Sequence, residues 1–230
     1  MKTKGISQEA LKLIACITML LDHTAAALVY DYRLYMILRG IGRIAFPIFC
    51  FLLAEGAHYT KSPGKYALRL LAGALLAEIP FDLALFGKFT WEHQSVMVTL
   101  LLGFGALWAM RRFENPLLKM LVCLPFIPLG ELLQTDYGSF GVLLIAMLGL
   151  FRDMPMGKLM QCVSVCLVCA MLPSVEFRIG LFPISLELIG IVSSVPSRLY
   201  FGKKRTKNKW IQWAFYLFYP AHLTVLCFLV

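Results

Sequence analysis

Residues 20–56 read LLDHTAAALVYDYRLYMILRGIGRIAFPIFCFLLAEG. The two apolar runs of this segment contain five ionisable side chains: Asp22, His23, Arg39, Arg43 and Glu55. A helix crosses the hydrocarbon core of a bilayer with about 20 mostly apolar residues, which is the length of each run with its flanks. An ionisable side chain at membrane depth costs roughly 2.5–3.5 kcal/mol on insertion, so such residues pair, face a cavity or take part in chemistry. The segment therefore predicts two membrane-spanning helices that carry paired or functional polar groups.

The apolar composition continues through the whole chain. Of the 230 residues, 60% are hydrophobic and 15% are charged, whereas a soluble domain is about half apolar and about a quarter charged. The apolar runs are continuous, which favours helices because a helix satisfies its own backbone hydrogen bonds in lipid. We predict an all-α, polytopic membrane helical bundle in a single domain, residues 1–230, with interruptions at Pro47 and Pro80. The approximately nine predicted transmembrane helices are 12–30, 35–57, 66–86, 95–111, 117–133, 138–152, 157–174, 180–198 and 210–230.

The basic residues alternate from one side of the predicted spans to the other. The net charge is +9, and most of the 22 Lys and Arg residues fall in alternate joints, beginning with the N-terminus. Cytoplasmic loops carry such an excess, so we predict a multi-pass protein of the cytoplasmic (inner) membrane with its N-terminus in the cytoplasm. The basic run GKKRTKNK at 202–209 is then a cytoplasmic loop that contacts anionic membrane lipids, an interpretation favoured over a nucleic-acid-binding tail.

The cysteines and histidines do not form a metal-binding pattern. All seven cysteines fall within predicted spans, where Cys behaves as a small apolar residue. Cys162, Cys166 and Cys169 share one helix face, but no His or carboxylate is near them in sequence. The four histidines show no H-x-x-x-H or H-E-x-x-H spacing. We therefore predict no metal site.

Two pairs of like-charged residues are each spaced four residues apart. Arg39 and Arg43 begin the second predicted span, and Glu78 and Asp82 lie in the outer half of the third. A spacing of four puts each pair on one helical face. One interpretation is that the four side chains form buried ion pairs between these two spans. The other is a direct role in catalysis, and both remain open.

His23 is a candidate general base, because a neutral imidazole accepts a proton near neutral pH. Its neighbour Asp22 cannot orient it simply by adjacency, since consecutive helical residues point about 100° apart. A partner must therefore come from another span, and four residues are candidates: Glu78, Asp82, Glu131 and Tyr219. The alternative interpretation is a structural histidine that is hydrogen-bonded to a neighbouring helix.

Four segments of the chain resemble successive blocks of the TraX family, which is named for a conjugation-system protein associated with N-terminal acetylation of pilin. The segments are LKLIACITMLLDHTAAAL at 11–28, RGIGRIAFPIFCFLLAEGAHYT at 39–60, KYALRLLAGALLAEIPFDLALF at 65–86 and FYLFYPAHLTVL at 215–226. The family is similar in turn to multi-span membrane acyltransferases, which share an early membrane His, a Phe-Pro-containing stretch and a late Tyr–His element. The counterparts in this chain are His23, Phe46 to Gly56, and Tyr219 with His222.

The resemblance implies transfer of an acetyl or short acyl group from acyl-CoA to an acceptor amine or hydroxyl. A peptide N-terminus is the favoured acceptor, and a sugar or lipid is the alternative. The implied catalytic residues are His23 as base, Arg39 or Arg43 at the oxyanion, and Asp22, which tunes His23 or binds an ammonium group. The implied substrate or coenzyme A pocket contains Glu55, Glu78, Asp82, Tyr219 and His222. The coenzyme A nucleotide is expected near basic side chains of the cytoplasmic loops, such as Lys61, Lys65 and Arg69.

A proton-coupled small-molecule transporter is the rival function. Intramembrane Asp, His, Glu and Arg residues and broken helices also mark ion and substrate pathways. Nine spans do not divide into two equal halves, and the sequence contains no internal repeat. A membrane metalloenzyme is a third interpretation, and the histidine spacing disfavours it.

Overall fold

The computed structural model describes residues 5–172, 176–179, 182–198, 200 and 209–230. Its α-helices are α1 (Gln8–Leu28), α2 (Tyr32–Gly42), α3 (Ala45–Tyr59), α4 (Pro63–Phe86), α5 (Val96–Met110), α6 (Pro116–Cys123), α7 (Phe126–Leu132), α8 (Gly138–Phe151), α9 (Gly157–Met171), α10 (Ser194–Arg198) and α11 (Lys209–Cys227). A 3₁₀ helix spans Leu186–Ser193. Strand β1 (Glu176–Ile179) pairs antiparallel with β2 (Phe182–Ser185). The predicted all-α class is confirmed except for this hairpin.

The helices follow one another in the order that the hydropathy predicts. Two predicted spans each consist of two consecutive helices, α2 with α3 and α6 with α7, and the eighth consists of the 3₁₀ helix and α10. The predicted helix over 180–198 is wrong at 182–185, because these residues form β2. Residues 173–174 of the seventh predicted span, residues 180–181 of the eighth and residues 202–208 of the basic run lie outside the described residues.

Two of the described helical segments are long and apolar enough to cross a membrane by length and composition, namely Gln8–Leu28 and Tyr32–Tyr59. The second of these includes the break between α2 and α3. Five further apolar helices in the described part of the chain are shorter, between 10 and 17 residues.

The break between α2 and α3 has a local cause in Pro47. Proline has no N–H, and its ring excludes the carbonyl group four residues earlier, that of Arg43, from its helical position. The helix therefore ends at Gly42 and begins again at Ala45. Pro80 has no such effect, because α4 runs through it to Phe86. The predicted interruption of the third span is therefore wrong.

Contacts between loops define two ends of the helical bundle. At the end that we call the basic end, Arg111 donates hydrogen bonds to the carbonyl oxygens of Ala57 and Thr60, at 2.8 and 3.2 Å. At the opposite end, the segment before α5 pairs with the segment before α8 through Gln94 and Thr135. The end of α3 thus meets the end of α5, and the starts of α5 and α8 meet. These three helices run in the same direction, as alternate members of an up-and-down bundle must.

Helix α3 lies at the centre of the fold, where it packs against α1, α5, α8 and the 3₁₀ helix. Most of its side chains are buried, and Ile48 and Cys50 are fully enclosed. Helix α1 packs on α2, α3 and α11, while α11 also packs on α4. This packing brings α1, near the N-terminus, into contact with the C-terminal helix α11.

Candidate active site

Two histidines that are distant in sequence meet inside the bundle. Nδ1 of His23, in α1, lies 2.7 Å from Nε2 of His222, in α11. The ring planes are 3° apart, and both side chains are buried. Nδ1 of His222 lies 2.7 Å from the carbonyl oxygen of Phe218, one turn earlier in α11. We call His23 and His222 the histidine pair.

The backbone carbonyl group at one end of the histidine pair determines which nitrogens carry protons. A carbonyl oxygen only accepts, so Nδ1 of His222 is protonated and donates to Phe218. In a neutral imidazole the other nitrogen is an acceptor, so Nδ1 of His23 donates to Nε2 of His222. Nε2 of His23 is then left with an unprotonated lone pair. This arrangement suits a general base, because a second side chain fixes the tautomer of His23.

The partner of His23 differs from the sequence prediction. The sequence predicts a partner among four other residues: Glu78, Asp82, Glu131 and Tyr219. The hydrogen bond is instead made by His222, which the sequence assigns to the pocket. Tyr219 contacts the pair through its ring, whose centre lies 5.9 Å from that of His23 and 5.6 Å from that of His222. The three-residue spacing of Tyr219 and His222 on α11 is the signal that puts them on one face.

Asp22, next to His23, belongs to a separate group of charges. Its carboxylate accepts hydrogen bonds from Arg39 at 2.6 Å and from Arg43 at 2.5 Å. Arg43 also donates to Glu187 of the 3₁₀ helix at 2.7 Å. All four side chains are largely buried, and we call them the charge cluster. The predicted ion pairs of Arg39 and Arg43 with the acidic residues of the third span are wrong, because the arginines pair with α1 and the 3₁₀ helix.

Helix geometry and one glycine explain why Asp22 and His23 have different partners. Consecutive residues in α1 point about 100° apart, so Asp22 faces α2 while His23 faces α11. Gly42 at the end of α2 lies against Asp22, and a Cβ atom there would overlap the Asp22 side chain. Gly42 therefore allows α2 to approach α1 closely enough for Arg39 and Arg43 to reach the carboxylate.

Glu78 and Asp82 bind backbone groups of the segment before α5. Glu78 accepts a hydrogen bond from the N–H of Ser95 at 3.1 Å, and the fully buried Asp82 accepts one from the N–H of Thr90 at 2.9 Å. These two carboxylates hold that segment on α4. They lie at the same end of the bundle as the charge cluster, but their hydrogen bonds go to backbone groups and the arginines bind Asp22 and Glu187.

Glu55 lies at the basic end, where it accepts a hydrogen bond from Arg152 at 2.7 Å. Arg152 also donates to the hydroxyl oxygen of Tyr59 at 2.9 Å. Glu55 therefore does not join the histidine pair or the charge cluster, although it contributes to the wall of a cavity.

The cavity that Glu55 helps to line has a volume of about 480 Å³ and is bounded mainly by apolar and aromatic side chains. We call it the apolar cavity. At the basic end its wall includes Lys12, Glu55 and Tyr59, and at the other end it includes Val96 and Tyr219. Because the Tyr219 ring contacts both histidines, the cavity extends from the basic end to the neighbourhood of the histidine pair.

A second cavity, of about 550 Å³, lies at the opposite end of the bundle. We call it the polar cavity, since charged side chains form much of its wall. They include Arg39, Arg43, Glu131, Asp136 and Glu187. The charge cluster therefore borders this cavity, while the adjacent residue His23 contacts a side chain of the apolar cavity. The two cavities approach the second half of α1 from opposite ends of the molecule.

Potential metal ligands are dispersed in the described structure. Among those residues, no group of three or more His, Cys, Asp or Glu side chains is arranged to hold a metal ion. All seven cysteines carry free thiols. That the protein uses no metal stays a prediction.

The fold and this site define a mainly helical protein with a buried histidine pair, beside which Tyr219 lines one cavity, while the charge cluster borders another. The chain belongs to the TraX family, because the family model described as TraX protein matches residues 7–230. The predicted family resemblance is thereby confirmed. A protein of Dichelobacter nodosus named "Probable fimbrial assembly protein FimC, serogroup H1" is 29% identical over 234 residues, covering 94% of this chain and 93% of the relative. No solved structure matches the chain.

Proposed function

We propose that this protein is an integral-membrane acyltransferase that moves an acetyl group from acetyl-CoA to an acceptor amine. The observation that carries the proposal is the hydrogen-bond chain from His23 through His222 to Phe218, which leaves Nε2 of His23 as a free acceptor. Through Tyr219 the pair adjoins a cavity of a size suited to a small-molecule substrate. Membership of the TraX family supports a role in pilin modification.

The proposed membrane topology has nine spans, with the N-terminus in the cytoplasm. Large apolar side chains on the outside of the bundle support it, for example Leu75 and Leu76 of α4, which are 70% and 58% exposed. A helix that is apolar on its outer face is suited to lipid, whereas a helix at the surface of a soluble protein is polar there. The shared direction of α3, α5 and α8 supports the same topology. The basic end of the bundle would then be cytoplasmic, in agreement with the positive-inside rule.

In this topology acetyl-CoA enters from the cytoplasmic side. Arg111, Arg112 and Lys61 line a cavity at the basic end, where cationic side chains would attract the phosphates of the coenzyme A nucleotide. The apolar cavity begins at the same end, and its length along the bundle would take the pantetheine arm toward the histidine pair. The thioester would then reach the neighbourhood of Tyr219 and His23.

His23 would act as the general base. A neutral acceptor amine attacks the thioester carbonyl carbon, the C–N bond forms, and Nε2 of His23 takes the N–H proton. The C–S bond then breaks, and the departing coenzyme A thiolate recovers that proton from His23. His222 is a positioning residue in this scheme, because its hydrogen bond fixes the tautomer of His23. The charge cluster is assigned to structure, since its guanidinium and carboxylate groups bind one another.

The acceptor is proposed to enter through the polar cavity. Glu131 and Asp136 in its wall would attract a cationic amine, which loses a proton to water before it attacks. The relative from Dichelobacter nodosus is named as a fimbrial assembly protein. We therefore propose the N-terminal amine of a fimbrial or pilin subunit as the acceptor, with a sugar or lipid hydroxyl as the alternative.

The proposal is tested with [acetyl-14C]-acetyl-CoA and purified protein in detergent, against a panel of peptides, sugars and lipids. We expect label to move to peptides with a free N-terminus and not to N-blocked versions of the same peptides. His23→Ala is expected to lower transfer by about 100-fold or more. Arg33→Ala is the control, because Arg33 is exposed and lines none of the three cavities assigned to substrates.

Three results would contradict parts of the proposal. Label transfer to a sugar or lipid alone would overturn the peptide acceptor while leaving the acyltransferase in place. Equal transfer by the parent and His23→Ala would remove His23 as the base. Folded protein that neither binds nor consumes acetyl-CoA would exclude the reaction itself, and a proton-coupled carrier would then be tested in proteoliposomes.

A further inference from the structure

We infer that the hydroxyl groups of Tyr219 and Ser95, together with the N-terminus of α5, bind the carbonyl oxygen of the acyl thioester and the oxyanion that forms from it. The inference rests on the proposed acyltransferase function and names the group that stabilises its transition state. It replaces Arg39 and Arg43, to which the family resemblance gives this role.

The first observation is that four buried hydroxyl groups in the described part of the chain lack a hydrogen-bond partner, and that two of them, those of Ser95 and Tyr219, lie close together. Ser95 is fully buried and Tyr219 is 4% exposed. The Tyr219 hydroxyl lies close to the Ser95 side chain and the backbone of Val96, and the Ser95 side chain lies close to Glu78. A buried polar group without a partner is destabilising, so its presence indicates a ligand or a reactive role.

The second observation is that Tyr219 lies at one end of the apolar cavity, together with Val96, the residue that follows Ser95. The Tyr219 ring also makes edge-to-face contacts with His23 and His222. A thioester at this end of the cavity would therefore have unpaired hydroxyl donors and the proposed base as neighbours.

The third observation concerns the start of α5, a helix of 15 residues. Ser95 is its N-cap, and the Ser95 side chain makes no capping hydrogen bond. The first N–H groups of a helix have no carbonyl partner within the helix, and the helix dipole makes this end attractive to negative charge. Glu78 binds the backbone N–H of Ser95 and thereby fixes the start of the helix. The hydroxyl and N–H donors are thus held in place before any ligand binds.

The chemistry requires such a group of donors. When the amine nitrogen attacks, the carbonyl π electrons move to the thioester oxygen, and the proton of the amine goes to His23. The oxygen carries a negative charge until the C–S bond breaks and the thiolate leaves. Neutral donors in a water-excluded site stabilise this charge strongly because they need no reorganisation. The arginines of the charge cluster are less suited, since carboxylates already bind them.

The test compares Tyr219→Phe and Ser95→Ala with the parent protein in steady-state acetyl transfer. We expect Tyr219→Phe to lower kcat by about 100-fold and to leave KM for acetyl-CoA within about twofold, because the interaction forms mainly in the transition state. Both variants should unfold at the parent's temperature or above it, since the hydroxyl groups that they lose have no hydrogen-bond partner among the residues that the structure describes. Tyr32→Phe, at an exposed position of α2, is the matched control and should behave as the parent.

A spectroscopic measurement separates this inference from the proposed function. Isotope-edited infrared spectroscopy of bound [1-13C]acetyl-CoA reports the carbonyl stretch, which donors at the oxygen shift to lower frequency. We expect the parent to show this shift and the double variant Tyr219→Phe, Ser95→Ala to lose it while still binding acetyl-CoA. Bound acetyl-CoA with an unshifted carbonyl in the parent would overturn the inference and leave the acyltransferase intact. A folded parent that binds no acetyl-CoA would overturn the proposed function, and the inference with it.

Discussion

Asp22 and His23 are neighbours in α1, yet they belong to two regions that use their hydrogen-bonding groups differently. Asp22 accepts hydrogen bonds from two arginines, and Arg43 is shared with Glu187. In the histidine pair, by contrast, the hydrogen-bond order leaves one nitrogen of His23 without a proton. One region is a group of opposite charges that neutralise one another, and the other is a chain of neutral rings with an acceptor at its end.

This difference in hydrogen bonding distinguishes polar groups that stabilise the fold from polar groups that are available for a reaction. A buried charge is costly unless its partners satisfy it, and once they do, little capacity remains for a substrate. Neutral imidazoles are less costly to bury and retain a lone pair that can take a proton. A buried charge therefore does not by itself identify the catalytic residue. The unused acceptor on His23 is the better indicator.

The largest expected effect comes from replacing Asp22 and His23 by alanine, one at a time. His23→Ala should lower kcat by about 10²–10⁴-fold and change stability little, because it removes the base but no charge. Asp22→Ala should instead lower the yield of folded protein, since it leaves Arg39 without a carboxylate partner and Arg43 with Glu187 alone. Label transfer per folded molecule and the unfolding temperature are measured for both. Equal losses of stability would contradict the separation of the two regions.

The sequence predicts much of the fold because hydropathy reports burial in lipid or protein directly. The predicted spans and the described helices agree along most of the chain. Glu55 lies at the opposite end of the bundle from Asp22, as the predicted directions of the first two spans require. The hairpin was not predicted, because apolar residues such as Phe182 and Ile184 are as compatible with a short strand as with a membrane-spanning helix. Pro80 was also misleading, because proline inside a packed helix does not always end it.

The sequence predicted the residues of the candidate site better than it predicted the contacts between them. His23, Tyr219 and His222 were all singled out, and the structure brings them together. The hydrogen bond between the histidines was missed because Tyr219 or one of three acidic residues was expected as the partner of His23, whereas the ring of His222 fills that place. The Arg43–Glu187 pair joins residues far apart in sequence. Helical spacing determines which face a residue occupies but not which helix packs against that face.

Arg43→Ala is the second largest expected change and tests the charge cluster. It leaves Glu187 without its partner and weakens the neutralisation of Asp22, so we expect a loss of about 3–5 kcal/mol in the free energy of unfolding. Arg43→Lys should lose less but should not match the parent, because an ammonium group cannot reproduce the forked contact with two carboxylates. Unfolding is followed by tryptophan fluorescence during titration with denaturing detergent. Arg33→Ala, at an exposed position, is the control, and an equal loss in that variant would contradict a specific role.

Substitution of His222 tests whether the histidine pair works through one tautomer. Glutamine offers an amide oxygen that can accept from Nδ1 of His23, whereas phenylalanine offers no acceptor. We expect His222→Gln to keep about tenfold more kcat than His222→Phe, which corresponds to one hydrogen bond of about 1.4 kcal/mol. Both variants should bind acetyl-CoA as the parent does. If the two variants retain the same kcat, His222 acts only through packing.

Glu78→Ala is expected to have the smallest effect, and it tests whether the charge cluster extends to α4. Glu78 is partly exposed and binds the backbone N–H of Ser95, with no arginine beside it in the structure described. Its loss removes one hydrogen bond and orphans no charge, so the free energy of unfolding should fall by about 1 kcal/mol. Glu78→Gln keeps an acceptor for Ser95 and should be closer to the parent, while Glu114→Ala at an exposed site should match it. A loss as large as that of Arg43→Ala would mean that Glu78 balances a cation, and the charge cluster would then extend across both sides of the histidine pair.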